Sequence, residues 1–369
     1  MQSGPARMFI RIVIVRDWPF LSIILISCSV AAIVATFQYS VFNSFVRTAA
    51  NMQQKLGGDF WITAATVECF ECPDPISEDY AAIISRYTPD AHYRRVVFGF
   101  ATWRSPIGKR GNVAIVGVDG MNIPDNGFVV DQSDLGKLDI ERGSPLQASE
   151  ATIADTTLKL HGVVDDMPTF LGSPYIIVAF ERGRELLRMD PSSTSYLIGD
   201  LPSARTADLE AISKKAAKLF PEIAVLPAAD FGRSSSEYWQ RRTGSGLAIL
   251  LAAALASVLM VILLSNGVLR FIQRYHQDLL SLIGHGASER VITRIVIGVS
   301  AIIAFTTMIA TVIVTPTIMF LMRSSLPWAR FVWSDSVVPI ITLSAAIFLA
   351  MVASRRAIAA YGPEAVFRS

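Results

Sequence analysis

Four long runs of apolar residues divide the chain, at residues 19–42, 244–268, 295–322 and 337–353, and none of them contains an Asp, Glu, Lys or Arg. A helix needs about 20 such residues to cross a bilayer, range about 17–25, so each run is read as a transmembrane helix. The last is short unless residues 331–333 extend it. Residues 43–243 follow other rules. The stretches 59–66 and 92–103 alternate like strands, and 77–87 reads as a helix with Ser77 as its cap and Glu78 and Asp79 in its first turn. A further strand at 112–118 ends at Asp119-Gly120, and 127–180 is broken into short strands by Gly and Pro. A strand at 195–201, an amphipathic helix at 207–219 and a strand at 223–226 repeat the first pattern. The expected fold is an α-helical membrane protein with four transmembrane helices plus a large extracytoplasmic α+β domain, in which two β-α-β units flank an inserted β subdomain. Residues 35–56 lack Pro and Gly and read as a helical stalk stopped at Gly57-Gly58, with 234–243 as the returning stalk.

The segment 270–294 is too polar for a bilayer yet lies between two apolar runs. Phe271, Tyr275, Leu279, Leu282 and Ile283 recur at helical spacing. Gly284 and Gly286 then break the helix, and Ser288 can cap the next one, with Glu289 in its first turn and Val291, Ile292 and Ile295 on its apolar face. Helix, glycine break and second helix form a bracket along the membrane surface, which a docking partner can push. Orientation follows from arginines near the ends of the spans: Arg7, Arg11 and Arg16, then Arg270, Arg274, Arg290 and Arg294, then Arg355, Arg356 and Arg368. They place a lead (1–18), a loop (269–294) and a tail (354–369) in the cytoplasm, with both termini inside a cytoplasmic (inner) membrane. The domain at 43–243 and a short loop at 323–336 are then outside. The first run reads as a retained helix rather than a signal peptide, because no small-x-small cleavage site follows Gln38.

Composition agrees with a membrane protein: 369 residues, 52% hydrophobic and 17% charged, with a mean hydropathy of +0.44. A formal net charge of +2 gives no argument for nucleic acid. No P-loop is present, since Gly108-Lys109-Arg110 lacks both the earlier glycine and the hydroxyl. No cofactor is expected in this chain, and ATP would have to be bound by another. Cys69 and Cys72 read as a loop-pinning disulfide in an oxidising compartment, ahead of a redox pair or half a zinc site. Their flanks, Glu68, Glu71 and Asp74, raise rather than lower a thiol pKa. Cys28 reads as a small apolar residue. The histidines at 92, 161, 276 and 285 are scattered and fit surface roles, not a metal site. Asp131, Asp134, Glu141, Asp165 and Asp166 fit turns and solvated faces rather than acid–base chemistry. Gly244, Gly246, Ala252–Ala254, Ala256 and Ser257 put small residues on the second span, as a dimer face or as packing within one subunit.

Asp278-Leu279-Leu280 followed by Gly286-Ala287-Ser288 resembles the cytoplasmic loop of FtsX/MacB-type ABC transporter permeases. The family has Glu at Asp278, a basic residue at Gln277 and Ala at Gly284. Leu56–Ile62 (LGGDFWI) resembles the start of its outer domain, and Phe128–Leu146 (FVVDQSDLGKLDIERGSPL) resembles the middle of it in DevC-like members. Arg355, Arg356, Pro363, Glu364, Ala365 and Arg368 resemble its closing motif. The resemblance implies a MacB-like periplasmic domain with porter-like β-α-β units, a homodimer, and a separate ABC ATPase that binds ATP. Where the cell has two membranes it also implies a periplasmic adaptor (membrane fusion protein) and an outer-membrane duct. It assigns ATPase coupling to Asp278, Leu279, Leu282, Gly286 and Ser288. Leu279 and Leu282 would fill an apolar cleft on the ATPase, Asp278 would pair with a basic group, and Gly286 would permit the turn. The implied function is export of a substrate by mechanotransmission, with no enzyme activity in this chain. The alternative is an FtsX-like regulator that switches a cell-wall enzyme or sensor without moving cargo. A third reading is a membrane-anchored redox enzyme using Cys69 and Cys72.

Overall fold

The computed structural model describes residues 4–141, 143, 149–165, 167–169, 172–202 and 206–360. Asp166, the closing motif at 363–368, and 142 and 144–146 of the middle segment lie outside them, as do the side chains of Arg355, Arg356 and Glu289. The chain forms two compact units. One comprises Met1–Asn43, Leu247–Met322 and Ala329–Ser369, the other Ser44–Gly246 and Arg323–Trp328.

Helices α1 (Gly4–Arg16) and α2 (Trp18–Thr48) meet at Asp17. The Asp17 carbonyl accepts from the N–H groups of Phe20 and Leu21 at 3.1 and 3.2 Å, so it starts α2 as α1 ends. Pro19 falls in the first turn of α2, where a missing N–H costs no hydrogen bond. The stalk expected at 35–56 is helical with one interruption at Ala49-Ala50, after which α3 (Asn51–Leu56) ends at Gly57 and Gly58, both at positive φ.

The extramembrane unit holds β1 (Phe60–Ala64), β2 (Ile76–Ser77), α4 (Asp79–Ile84), β3 (His92–Arg104), β4 (Arg110–Val118), β5 (Gly127–Asp131), β6 (Glu150–Ile153), β7 (Thr156–Val164), β8 (Tyr175–Ala179), α5 (Phe180–Leu186), β9 (Ser193–Thr194), β10 (Tyr196–Asp200), α6 (Thr206–Leu219), β11 (Ile223–Pro227) and α7 (Ala228–Glu237). Both β-α-β units are present and flank the insertion along the chain, and in space they interlock. The strand order is β11-β1-β10-β3 with every neighbour antiparallel. Strands β1 and β3 run the same way and leave a gap one strand wide, which β10 fills, giving the split β-α-β arrangement. The insertion forms a β subdomain that shares a strand with the interlocked sheet. Strand β3 pairs with β4, β4 with β8, β8 with β5, β5 with β7 and β7 with β6, and β6 returns to the far end of β3 at Trp103↔Ile153. That ring is closed, so its strands expose no free edge. Strand β3, 13 residues long, belongs to both structures.

Each structure has its own core. Trp61, Phe70, Tyr196 and Phe231 crowd together under the interlocked sheet. Ile115, Phe128, Ile153, Leu160 and Ile176 fill the ring. Phe70 comes from the disulfide loop and Phe231 from α7, and the others are strand residues.

The apolar unit adds α8 (Ser245–Arg274), α9 (His276–Gly284), α10 (Glu289–Leu321) and α11 (Val337–Ala360) to α1 and α2. Among the described residues three helices are long and apolar enough to cross a membrane, Trp18–Thr48, Ser245–Arg274 and Arg290–Ser324, and a shorter apolar stretch is Trp333–Leu349. Glycines set the closest approaches. A Cβ on Gly267 of α8 would lie 2.6 Å from Ile24 of α2, and one on Gly298 of α10 would lie 2.5 Å from Ile10 of α1. Asp335, fully buried before α11, accepts from Asn43 Nδ2 of α2 at 2.8 Å and from the Val332 N–H at 3.0 Å.

In the extramembrane sheet Gly199 of β10 lies opposite Phe60 of β1, and a Cβ there would sit 2.1 Å from the Phe60 ring. Phe60 is fully buried and has nowhere to move. Gly199→Ala is expected to cost about 1–3 kcal/mol or more, lowering the thermal midpoint followed by tryptophan fluorescence in detergent. An unchanged midpoint would show that the β1–β10 contact is not tight.

Candidate functional site

The bracket forms where the sequence places it, with finer punctuation. Helix α8 runs to Arg274 and is interrupted at Tyr275, whose φ of −99° and ψ of 16° are not helical. Helix α9 then takes nine residues. Its end is a Schellman turn: the Ala287 N–H reaches the Leu282 carbonyl at 3.0 Å, the Gly286 N–H reaches the Ile283 carbonyl at 2.8 Å, and Gly286 has a φ of +90°. Gly286 alone supplies the left-handed residue, and Gly284, expected to share in the break, is the last residue of α9. Ser288 takes the cap position of α10 with extended backbone, and its carbonyl receives the Val291 N–H at 2.8 Å, but its side chain makes no cap hydrogen bond.

Burial sorts the proposed coupling residues. Asp278, Gly286 and Ser288 are exposed, as are Gln277 and Ser281 beside them, and Leu282 is half-buried. Leu279 is only 5% exposed and packs with Phe271, Tyr275, Val291 and Ile292 in the chain's own core. The helical period put Leu279 on an apolar face, but that face is turned inward. Leu279 therefore anchors the bracket and is not available to an external cleft. The outward face of α9 is polar.

The side chain that fixes the near end of the bracket escaped the sequence reading. The Asp17 carboxylate accepts from Arg274 Nε and Nη2 at 3.0 and 3.1 Å and from the Tyr275 hydroxyl. Arg274 and Tyr275 hold this carboxyl below the usual carboxylate range. The latch is therefore made at neutral pH and is lost only as pH falls through that lowered pKa. Burial, and then the Asp17 contact, push the Tyr275 phenol up to about 12. Phe9 of α1 meets the Tyr275 ring edge-on at 5.9 Å, and the Arg274 guanidinium lies over Phe20 of α2 at 5.1 Å. The junction of α1 with α2 is thus locked to the junction of α8 with α9. A lone Asp next to Arg16 gave no signal of this.

In the extramembrane unit Cys69 and Cys72 are joined in a disulfide. The loop that it closes gathers several elements. The Phe70 N–H donates to Ser235 of α7 at 2.9 Å, and Ser235 also receives Gln53 of α3 at 2.6 Å. The Tyr196 hydroxyl of β10 donates to the Phe70 carbonyl at 2.8 Å, and Arg242 pairs with Glu68 at 2.7 Å. Glu71, between the cysteines, is buried and accepts from Trp239 Nε1 at 3.0 Å and from the Tyr175 hydroxyl at 3.1 Å. Burial pushes the Glu71 carboxyl up to about 7, although both hydrogen bonds pull the other way. Asp131 and Asp134 anchor loops. Asp131 accepts from the Ser133 and Met167 N–H groups at 2.8 and 2.7 Å, and Asp134 accepts from the Tyr175 N–H at 3.3 Å. Among the described residues no group of three His, Cys, Asp or Glu is placed to hold a metal ion.

No protein-family model matches the chain. No curated protein matches it in sequence. Several solved structures are similar to part of it, among them two extracytoplasmic domains. The periplasmic region of MacB from Actinobacillus actinomycetemcomitans aligns at 8% identity and a TM-score of 0.37, covering 48% of this chain and 92% of that one. The extracellular domain of the noncanonic ABC-type transporter YknZ from Gram-positive bacteria aligns at 12% identity and a TM-score of 0.34, covering 46% of this chain and 98% of that one.

Glu71 yields a prediction with a defined sign. Its folded-state pKa lies above the value of 4.5 for a free side chain. Between those two values the unfolded chain ionises while the folded one keeps its proton, so stability falls as pH rises through that window and stays low above it. Glu71→Gln keeps an acceptor for Trp239 and removes the charge. The variant is expected to melt higher than the parent at pH 8 and to match it at pH 4. Parallel melting curves at both pH values would refute the buried-carboxyl assignment.

Proposed function

We propose that this chain is the permease subunit of an ABC transporter of the FtsX/MacB type, working as a homodimer with an ATPase carried on a separate chain. The observation that carries the reading is the bracket itself. A nine-residue helix with a polar outward face is fixed at one end by the Asp17 latch and at the other by the Gly286 turn, between two helices of membrane length. A partner pushing on α9 would move α8 and α10 together, because neither joint has slack. Asp278 supplies the charge for recognition, with Gln277 and Ser281 beside it and the half-buried Leu282 at the edge. Gly286 and Ser288 shape the turn. Helix α2 runs unbroken from Trp18 to Thr48, past the end of its apolar run, and would carry the movement outward. The four apolar runs hold no Asp, Glu, Lys or Arg that would form a charged path, so substrate would be handled outside the membrane and exported by mechanotransmission. Where there is an outer membrane, an adaptor and duct would complete the path.

The test uses tagged full-length protein extracted in mild detergent from its native membrane, with and without Asp278→Arg. This exposed substitution leaves the bracket's packing intact, whereas Leu282→Asp would also strike the chain's own core. An ABC ATPase is expected to co-purify with the parent and to fall roughly tenfold or more with the variant, since a like-charge contact costs several kcal/mol at an interface. Equal recovery from both, or no ATPase from either, would contradict the docking assignment.

A further inference from the structure

Helix α1 is apolar on two opposite faces, and only one of them is used within the chain. At about 100° per residue, Ala6, Phe9, Ile10, Val13 and Ile14 share one side. Ala6 and Val13 are buried there, and the other three pack against the same core. On the far side Met8, Ile12 and Val15 form a second stripe, 67%, 48% and 75% exposed. A helix held against a protein on one side normally offers polar residues on the other, so this stripe has a separate cause.

The arginines supply it. On the same wheel Arg7 and Arg11 border the stripe on one side and Arg16 borders it on the other, at about 70–110° from its centre. All three are exposed and make no ion pair or hydrogen bond among the described residues. The helix carries no acidic residue, and the carboxylate that follows it in the chain, Asp17, is already taken by Arg274 and Tyr275. An apolar stripe with cations on both borders has the form of a helix lying in the bilayer interface. Its apolar side chains enter the acyl region while the arginines extend back to the phosphates. At 13 residues, about 20 Å, α1 is too short to span. It continues through Asp17 into α2, a helix of membrane length whose Trp18 and Ile23 are also exposed.

We propose that α1 is a seat for anionic phospholipid, with Arg7, Arg11 and Arg16 binding headgroup phosphates of the leaflet on the bracket's side, and that the Asp17 latch makes this lipid contact part of the bracket's positioning. The placement of the bracket rests on the proposed function, but the lipid seat is measured without an ATPase. A failure of one is therefore distinguishable from a failure of the other.

The test places a nitroxide at residue 12 through Ile12→Cys in the full chain, whose remaining free cysteine, Cys28, is buried. The protein is reconstituted in nanodiscs of phosphatidylcholine with increasing phosphatidylglycerol. Collision with oxygen and with a water-soluble nickel chelate is read from the spectrum. The expected result is high oxygen and low nickel access, with immersion deepening as phosphatidylglycerol is added. Each Arg→Gln change should raise the phosphatidylglycerol fraction needed for half the effect about fivefold, and Arg→Lys should raise it much less. High nickel access in every lipid would put α1 in water and overturn the proposal. Low access to both probes would mean that protein covers the stripe, and would also overturn it. Immersion equal in both lipids, or unchanged by the Arg→Gln series, would remove the anionic-headgroup assignment.

Discussion

A chain that leaves one membrane-length helix and starts another must end the first, turn and begin the second with the orphan backbone groups of both helix ends satisfied. The segment between α8 and α10 does this in very few residues. The Schellman bonds at Gly286 close the carbonyls of α9, and the Ser288 carbonyl begins α10. The interruption at Tyr275 is held from outside by Asp17, which takes both Arg274 and the Tyr275 hydroxyl. The functional reading depends on this economy. A loop with spare length would absorb a push, whereas a short helix with two closed joints passes it on. The latch draws α1 into the same assembly, so the arginine-bordered helix, the start of α2 and the bracket form one mechanical group.

The extramembrane unit solves a different problem, that of holding two chain passages to one sheet. The segment before β1 and the segment after β11 both reach the disulfide loop, through Gln53 on one side and Ser235, Trp239 and Arg242 on the other. Glu71 is the costly member of this clasp, a carboxyl withdrawn from water between neutral donors. Strand β3 joins the clasped sheet to the closed ring by serving in both.

Much of this was legible in the residues because the signals were periodic. Apolar runs gave the three membrane-length helices, and strand-like runs gave the long strands of the sheet but not β2, β6 or β9. Strand pairing was not legible. Nothing local in 59–66 says that its partners lie 135–139 residues later in β10 and 159–167 residues later in β11, so the two β-α-β units read as separate when they interlock. Closure of the ring depends on β6 returning to β3, which no short window contains. In the bracket the helical period located an apolar face correctly but not what covers it. Leu279 faces inward for that reason. Asp17 was missed because its partners lie more than 250 residues away.

The central claim is that the polar face of α9 is where a separate ATPase engages this chain. The most direct measurement installs a photo-crosslinking amino acid at Ser281, exposed on that face, in the full chain in living cells, and identifies what it captures on illumination. The account predicts one dominant adduct, with a polypeptide bearing an ABC nucleotide-binding motif, that disappears when Asp278 is replaced by Arg. Capture of lipid alone, or of this chain alone, would contradict it.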